Sequence, residues 1–460
     1  MSVDSWIALA QEAAGRPAAV PTRTSAFHSF DGQVVRVALH QRPDRYRQLE
    51  AAGFEGMTRI ARGAGLSYAP ASFGSGILVQ EVTQFRRLLE YDESAGSVRV
   101  EAGATIGDLL SWALARGRFL PVVPGHPDIT VGGCIAADAH GKNPGRDGTF
   151  RDWVLGLTLF HPTFGFVKTS PAERRELFDA TCGGFGLTGI IVDVTLTLPP
   201  LPARAVRLVN QPVASLRQAA EVILTSPAPF CYSWHGALGG SGSIGPGLLF
   251  LGDWVEATAP PRRPRRRGSL TAENRGALRA CLWNSTTAAA AAHAFYFANR
   301  RAGAERVLPI FDCCFPFERR TIYHRLFGQR GLREIQVMIP TAAVCGFLDS
   351  LASLLREHRP TVTLTSLKSF RGSGRALSLS GSGLLLAIDF VPGGRSTRFE
   401  SALDRLAMQL GAQPNVAKDS RVPADVIEAT IPTWRSFRAT LRQIDPRRLF
   451  QSDLSRRLDL

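Results

Sequence analysis

Three glycine-rich segments divide the first 200 residues and limit how the chain can fold. They are Arg-Gly-Ala-Gly-Leu-Ser-Tyr at 62–68, a stretch from Pro124 to Asn143 that contains Thr-Val-Gly-Gly, and Gly-Gly-Phe-Gly-Leu-Thr-Gly-Ile at 183–190. Short β-branched and aliphatic runs that predict strands separate these segments. Glycine permits positive φ and close approach of the backbone to a ligand. One Gly-x-Gly is more often a simple turn, but three such segments between strands are expected to line one long cofactor.

The length of the chain predicts two domains, because 460 residues exceed the size at which one hydrophobic core usually stops growing. Strand-like and helical patterns alternate up to the prolines at 199, 200 and 202, which indicates an α+β domain ending at a boundary. From about 203 to 410 the pattern predicts a sheet covered by helices on one side. We therefore expect a first domain at 1–200, a cap domain at 201–412, and a segment at 413–460 that returns to the first domain.

The formal net charge of +15 suits nucleic acid, an anionic membrane surface or a phosphorylated substrate. The Arg-rich run at 262–267 is interpreted as an exposed, solvated loop, and an anionic membrane surface is favoured over nucleic acid as its partner. No apolar run reaches the roughly 18 residues of a membrane span, and the N-terminus lacks the pattern of a secretory signal. We expect a cytoplasmic protein, peripheral at most on the inner face of the membrane.

Lysine is scarce in this chain. Of the 54 basic residues only four are lysines, namely Lys142, Lys168, Lys368 and Lys418. Lysine is a compact donor whose pKa shifts readily on burial, whereas arginine stays protonated. Lysine positions are therefore candidates for sites that need this chemistry.

The seven cysteines show no Cys-x-x-Cys pair and no metal-ligand spacing with histidine, so neither a metal site nor a disulfide framework is expected. Cys313 and Cys314 are adjacent, and we interpret them as small buried residues rather than as a redox pair. Their role is left open.

The order and spacing of the three segments resemble the FAD domain of the vanillyl-alcohol-oxidase or p-cresol-methylhydroxylase (PCMH) superfamily. The resemblance implies an α+β fold with a two-part FAD-binding domain, an inserted α+β cap built on an antiparallel sheet, and bound FAD. Several members attach the flavin to a histidine at the position of Leu66, so the FAD here is expected to be non-covalent. By the family pattern the cofactor-binding residues are Arg62, Gly63, Ala64, Gly65, Leu66, Ser67, Tyr68, Gly125, Thr130, Val131, Gly132, Gly133, Cys134, Ala137, His140, Gly141, Asn143, Gly184, Gly186, Gly189, Ile190 and Lys418.

Within this superfamily the chain more closely resembles the decaprenylphosphoryl-β-D-ribose 2′-oxidases, the flavin subunits of a 2′-epimerase. The similarity rests on the segments at 129–143 and 183–191, on Ile-Gln-Val-Met-Ile-Pro at 335–340, and on Ala-Lys-Asp-Ser-Arg at 417–421. It implies that Lys418 and His140 are catalytic. The substrate-binding residues that it implies are Tyr68, Lys142, Trp234, Gln336 and Lys368.

The activity implied is oxidation of the 2′-hydroxyl of a polyprenyl-phosphoryl-β-D-ribose to the 2′-keto sugar, with an NADH-dependent short-chain reductase completing epimerisation. The chain departs from the family pattern at Ala387, where well-known members have a cysteine near the flavin. Two alternatives stay open. One is a sugar-1,4-lactone or other sugar alcohol oxidase that uses oxygen, and the other is a catalytically silent flavin-binding or basic surface-binding protein.

Overall fold

The computed structural model describes residues 20–50, 56–237, 244–257, 279–300, 304–316 and 321–460. The Arg-rich run at 262–267 lies outside the described residues. The strands are β1 (Thr22–His28), β2 (Val35–Gln41), β3 (Arg59–Arg62), β4 (Leu78–Glu81), β5 (Leu88–Asp92), β6 (Ser97–Glu101), β7 (Val154–His161), β8 (Gly165–Thr169), β9 (Ile190–Thr197), β10 (Ala205–Val213), β11 (Phe230–His235), β12 (Gly247–Val255), β13 (Ala304–Pro309), β14 (Arg333–Pro340), β15 (Val362–Ser373), β16 (Ser380–Phe390) and β17 (Gln413–Pro414).

Helices connect and cover these strands. They are α1 (Arg47–Glu50), α2 (Ile106–Leu114), α3 (Val131–Ala136), α4 (Pro144–Asp147), α5 (Arg175–Thr181), α6 (Leu216–Thr225), α7 (Ser285–Asn299), α8 (Ile310–Cys314), α9 (Thr321–Arg325), α10 (Val344–His358), α11 (Gly394–Leu410), α12 (Ala424–Thr430), α13 (Trp434–Ile444) and α14 (Asp453–Arg457). Among the described residues, no helix combines the length and the apolar character needed to cross a membrane.

The first 200 residues form two sheets. One has the order β1-β2-β4-β3, and the other has the order β5-β6-β9-β7-β8. The first glycine-rich segment begins at the end of β3, the second contains α3, and the third leads into β9. All three therefore occur where strands or short helices begin or end, which brings their backbones to one side of the two sheets.

Residues 205–414 contribute an eight-stranded antiparallel sheet with the order β13-β10-β12-β11-β15-β16-β14-β17. Alternate residues of a strand point to opposite faces. One face packs under α6, α10 and α11 through Ile335, Val337, Leu386 and Ile388, while Gln336 lies on the opposite face. The predicted fold class, an α+β protein with an antiparallel cap sheet, is confirmed.

The chain after β17 returns to the first sheet. The amide of Arg59 donates to the carbonyl of Leu449 at 2.7 Å, and the amide of Gln451 donates to the carbonyl of Arg59 at 3.1 Å. The amide of Asp453 bonds the carbonyl of Phe73 at 2.9 Å. These bonds hold residues 449–453 against the region that carries the first glycine-rich loop.

Candidate active site

A cavity of about 400 Å³ lies between the glycine-rich loops and the open face of the eight-stranded sheet. The loops contribute mainly glycine and alanine, whereas the sheet contributes aromatic, amide and charged side chains. A cofactor on the loop side would therefore face a polar sheet surface, which is the arrangement that an enzyme with a cofactor and a substrate pocket needs.

The loop at 63–67 fits a pyrophosphate. Its backbone amides donate no hydrogen bond to any residue that the structure describes. Gly65 has a φ of +69°, and a Cβ at Gly63 would lie 2.3 Å from Thr130 Oγ1. The sequence therefore uses glycine where the turn and the close packing require it, and leaves a row of unsatisfied donors along the cavity that anionic oxygens can accept.

The second segment contributes surface rather than donors. Thr130 caps α3 by accepting a hydrogen bond from the amide of Gly133 at 3.2 Å. The amides of Val131 and Gly132 bond the carbonyls of Ala104 and Ala102 at 2.9 and 2.8 Å. Since these amides are satisfied within the protein, the small side chains of this helix form a flat wall against which a ring system can pack.

The segment at 415–418 joins this loop to the sheet. The amides of Tyr68 and Ala69 both donate to the carbonyl of Ala417, at 3.1 and 3.2 Å. Lys418 follows, and its Nζ lies 4.0 Å from the centroid of the Tyr68 ring and 3.2 Å from Glu334 Oε1. A cation held between an aromatic face and a carboxylate is fixed in position and is only partly desolvated.

Two acidic side chains lie beside Lys418. Glu334 on β14 pairs in register with Asp389 on β16, and both side chains point to the cavity. Burial, and after it the charge of Glu334, raises the pKa of Asp389 well above its usual range. Tyr323 donates its hydroxyl to Asp389 Oδ2 at 2.8 Å. Burial beside the carboxyl group of Glu334 therefore favours the neutral form of Asp389, because two adjacent buried carboxyl groups resist ionising together.

His140 lies at the junction between the two sides. Its Nε2 is 3.0 Å from Gln336 Oε1, which also accepts a hydrogen bond from Asn415 Nδ2 at 2.6 Å. Burial, and after it the positive charge of Lys368, lowers the pKa of His140 to about 4. The imidazole is therefore neutral at pH 7 and serves as a fixed packing and hydrogen-bonding group.

Lys142 and Lys368 complete the polar wall. Lys142 Nζ lies 5.8 Å from the centroid of the Tyr232 ring, and burial lowers the pKa of Lys142. Lys368 Nζ donates to the carbonyl of Gly141 at 3.4 Å. Burial, followed by the charges of Lys142 and Lys418, lowers the pKa of Lys368 to about 7. Three of the four lysines of the chain thus meet in one cavity.

Most of the residues predicted for the site line this cavity. They are Gly63, Ala64, Gly65, Leu66, Ser67, Tyr68, Gly125, Thr130, Gly132, Gly133, Ala137, His140, Gly141, Lys142, Gly186, Gly189, Trp234, Gln336, Lys368 and Lys418.

Six predicted cofactor residues lie outside the cavity lining. Val131, Cys134 and Ile190 are fully buried in the hydrophobic core. Arg62 bonds Ser72 Oγ at 2.9 Å. Asn143 bonds Asp147, and a Cβ at Gly184 would lie 2.0 Å from the carbonyl oxygen of Ala180. These residues support the cavity wall from behind. Cys313 and Cys314 are buried as well.

The polar residues of the cavity that sequence reasoning missed include Tyr323, Glu334, Asp389 and Asn415. Asp389 follows the apolar run Leu384–Ile388 of β16, which is a signal that could have found it; Glu334 lies beside Arg333 in β14 and gives no comparable signal. Among the described residues, no group of three His, Cys, Asp or Glu side chains is arranged to hold a metal ion.

Comparison with known proteins identifies the class. Residues 40–169 match the FAD binding domain family, and the chain is an FAD-dependent oxidoreductase. Over 453 residues it is 28% identical to the decaprenylphosphoryl-beta-D-ribose oxidase of Mycolicibacterium smegmatis. The matched region covers 96% of this chain and 95% of that protein. FAD as the cofactor and the resemblance inferred from the glycine-rich segments are thereby confirmed.

Other relatives match a shorter part. The D-lactate dehydrogenase of Anaerostipes hadrus is 30% identical over 150 residues, 32% of this chain and 31% of that protein. The probable L-gulonolactone oxidase 6 of Arabidopsis thaliana is 33% identical over 129 residues, 26% of this chain and 21% of that protein. Similarity along nearly the whole chain is therefore seen with the Mycolicibacterium protein, whereas these two match a third of the chain or less.

Proposed function

We propose that this protein oxidises the 2′-hydroxyl of a polyprenyl-phosphoryl-β-D-ribose to the 2′-keto sugar, the first half of epimerisation to an arabinose donor. The observation that carries the proposal is the meeting of Lys142, Lys368 and Lys418 in a cavity shared by the FAD domain and the cap. Similarity to a decaprenylphosphoryl-ribose oxidase over 96% of the chain supports it, because that similarity includes the substrate side of the cavity.

The chemistry divides between the cofactor and the cavity residues. Bound FAD supplies a two-electron acceptor for the hydride of the sugar carbon. Lys418 supplies a positive charge beside the reacting oxygen, where it stabilises the developing alkoxide. The ion pair with Glu334 and the ring of Tyr68 hold Lys418 in place before the substrate binds. His140, neutral at pH 7, contributes a rigid surface and a hydrogen bond to Gln336 rather than a charge.

The remaining polar groups suit a sugar phosphate. Lys142 forms no ion pair with a carboxylate of the described residues, so an anionic phosphate oxygen would supply its missing partner. Trp234 lies on the same sheet face, tilted against Tyr232 with ring centroids 5.6 Å apart. Together the two rings offer an apolar surface for the sugar face or for the first isoprene unit.

Contact with an anionic membrane, from which the lipid substrate would be taken, is part of the proposal. The helix α7 carries no Asp, Glu, Lys or Arg, and its Phe295 packs on Trp234 of the cavity wall with ring centroids 5.9 Å apart. Three large apolar side chains lie exposed on or near it, Leu282, Phe297 and Ile322, with exposed fractions of 48, 53 and 60%. Exposed arginines flank the helix at 279 and 300. Apolar groups with basic neighbours favour a lipid surface.

The membrane contact can be tested by flotation with liposomes that contain anionic lipid, at low and high salt. Phe297→Ser is the test variant, and Val35→Ser, at a residue that is 45% exposed on β2, is the matched control. We expect flotation at low salt, loss at high salt, and weaker flotation of the Phe297 variant alone. A protein that stays at the bottom of the gradient at low salt would refute membrane contact.

The activity is tested by anaerobic mixing of the yellow protein with a polyprenyl-phosphoryl ribose while flavin absorbance near about 450 nm is followed. Bleaching that Lys418→Ala slows strongly, with FAD still bound, supports the proposal. Addition of an NADH-dependent short-chain reductase should then yield the arabinose epimer. Acid precipitation of the protein should release all FAD into the supernatant, because Leu66 offers no nucleophile.

The two alternatives predict different outcomes in the same experiment. Reduction of the flavin by sugar-1,4-lactones or free sugars, but not by the lipid-linked ribose, would assign the protein to the oxygen-using oxidases. Flavin that stays oxidised with every sugar donor would indicate a catalytically silent flavoprotein. A match over 26% of the chain, such as that with the gulonolactone oxidase, gives the first alternative less support than similarity over 96% of the chain gives the proposal.

A further inference from the structure

We infer that Lys368 is the general base of the reaction and takes the proton of the substrate hydroxyl, while Lys418 acts as a fixed positive charge. This inference deepens the proposed function and rests on it. It assigns different tasks to two lysines that residue type alone does not distinguish.

Lys368 lies where the cap sheet faces the glycine-rich loops. Lys368 lies on β15, pairs in register with Tyr232 of β11, and points from the cap sheet to the glycine-rich loops. Its Nζ is 3.4 Å from the carbonyl oxygen of Gly141, and His140 Nδ1 is 3.2 Å from the same oxygen. The amine therefore lies between the glycine-rich loops on the cofactor side and the cap sheet on the substrate side. A hydroxyl group that is oxidised by the cofactor has to lie between the same two surfaces.

The partners of the two lysines differ. Lys418 forms an ion pair with Glu334 at 3.2 Å. Lys368 forms no ion pair with any carboxylate of the described residues, and its polar contact is a neutral carbonyl. The carboxylate of Glu334 stabilises the ammonium form of Lys418, whereas burial without such a counter-ion disfavours the ammonium form of Lys368.

The charges that face Lys368 act in the same direction. Lys142 and Lys418 repel its ammonium form, and Glu334, already paired, opposes them only in part. The neighbouring imidazole of His140 is neutral at pH 7. With burial as the largest cause, these groups lower the pKa of Lys368 to about 7. Close to half of the enzyme molecules thus carry the neutral amine at neutral pH, which is the form that can accept a proton.

Oxidation of the sugar removes a proton from the hydroxyl group and a hydride from its carbon. The lone pair of the Lys368 amine takes the hydroxyl proton and the amine becomes an ammonium group. The electron pair of the sugar C–H bond leaves as hydride to the bound FAD, and the C–O bond becomes a carbonyl. Of the two electrons and two hydrogens that the sugar loses, bound FAD would take both electrons with one hydrogen as hydride, and Lys368 takes the other hydrogen as a proton. The Lys368 proton leaves to solvent after the ketone departs.

The test measures the anaerobic rate of flavin reduction as a function of pH in Lys368→Ala, Lys368→Met and Lys368→Arg, with Lys418→Ala as the matched control. We expect the wild-type rate to fall below about pH 7. The three Lys368 variants should lose that limb and react on the order of 10²- to 10⁴-fold more slowly. Arginine should not substitute, because it keeps the charge but not the basicity.

Added methylamine distinguishes a base from a charge. In Lys368→Ala the rate should rise in proportion to the concentration of neutral methylamine, and it should rise further with a more basic amine. In Lys418→Ala any recovery should follow the methylammonium ion instead. Absorbance of bound FAD verifies that each variant is folded. A Lys368→Met variant within threefold of the wild-type rate, or an unchanged limb near pH 7 in it, would overturn the inference.

The design separates this inference from the proposed function. If the wild-type flavin is not reduced by the lipid-linked ribose but is reduced by a sugar lactone, the substrate proposal fails. The same variants measured with that lactone then still decide whether Lys368 is the base.

Discussion

The contact between Tyr68 and Lys418 gives a prediction whose size follows from the structure. Lys418 Nζ lies 4.0 Å from the Tyr68 ring centroid, well inside the roughly 6 Å range of a cation–π interaction. Such contacts contribute about 0.5 kcal/mol when exposed and about 2 kcal/mol when desolvated. The Lys418 side chain is 30% exposed, so we take about 1 kcal/mol. If this energy holds Lys418 beside the reacting oxygen, Tyr68→Leu should slow flavin reduction about fivefold.

The assay is the rate of anaerobic flavin reduction at saturating donor, with FAD content as the measure of folding. Tyr68→Phe is the control, because it keeps the ring and should stay within twofold of wild type. In a Lys418→Met background Tyr68→Leu should have no further effect, as a double-mutant cycle requires of two residues that act together. If Tyr68→Phe falls as far as Tyr68→Leu, or if the two substitutions are additive, the ring does not act through Lys418 and the reasoning is refuted.

Two further predictions concern cofactor binding and stability. Gly63→Ala should lower the ratio of bound FAD to protein. The added Cβ would lie 2.3 Å from Thr130 Oγ1, so either the loop has to move or α3 loses its cap. Gly346→Ala is the control and should keep full FAD, because nothing lies within 4 Å of the added Cβ. Asp389→Asn should leave the thermal midpoint at pH 7 nearly unchanged, because burial beside Glu334 favours the neutral carboxyl group, of which the Asn amide is an isostere. Glu334→Gln should cost about 1–3 kcal/mol by breaking a partly buried ion pair. An equal loss in both variants, measured by thermal unfolding, would show that Asp389 is ionised.

Several features of the site follow from composition and pattern alone. Because lysine is so scarce, the motif-associated Lys142, Lys368 and Lys418 were predicted to be functional, and all three line one cavity. The glycine-rich segments led to the FAD domain through their resemblance to a known family, and strand patterns led to a cap sheet covered by helices on one side. These signals are local, since each depends on residue type within a few positions of the chain.

The features that were missed depend on long-range geometry. Glu334 and Asp389 meet because β14 and β16 pair in a particular register, and nothing near either residue sets that register. A one-residue slip of either strand would send the carboxyl group of that strand to the helix-covered face. Val131 and Cys134 were predicted to contact the cofactor because a motif was treated as a continuous surface. In α3 they point into the core, while Gly132 and Gly133 face the cavity.

The attachment of the loop at 63–68 to the residues around Ala417 and Asp453 has a consequence for how the protein matures. The ribosome makes this loop early, but the carbonyl of Ala417 and the backbone at 449–453 emerge only after nearly all of the remaining described chain. The loop lacks these partners until then, so we expect nascent chains stopped within the cap sheet to bind FAD poorly. Flavin supply would then govern the yield of folded protein after synthesis rather than during it.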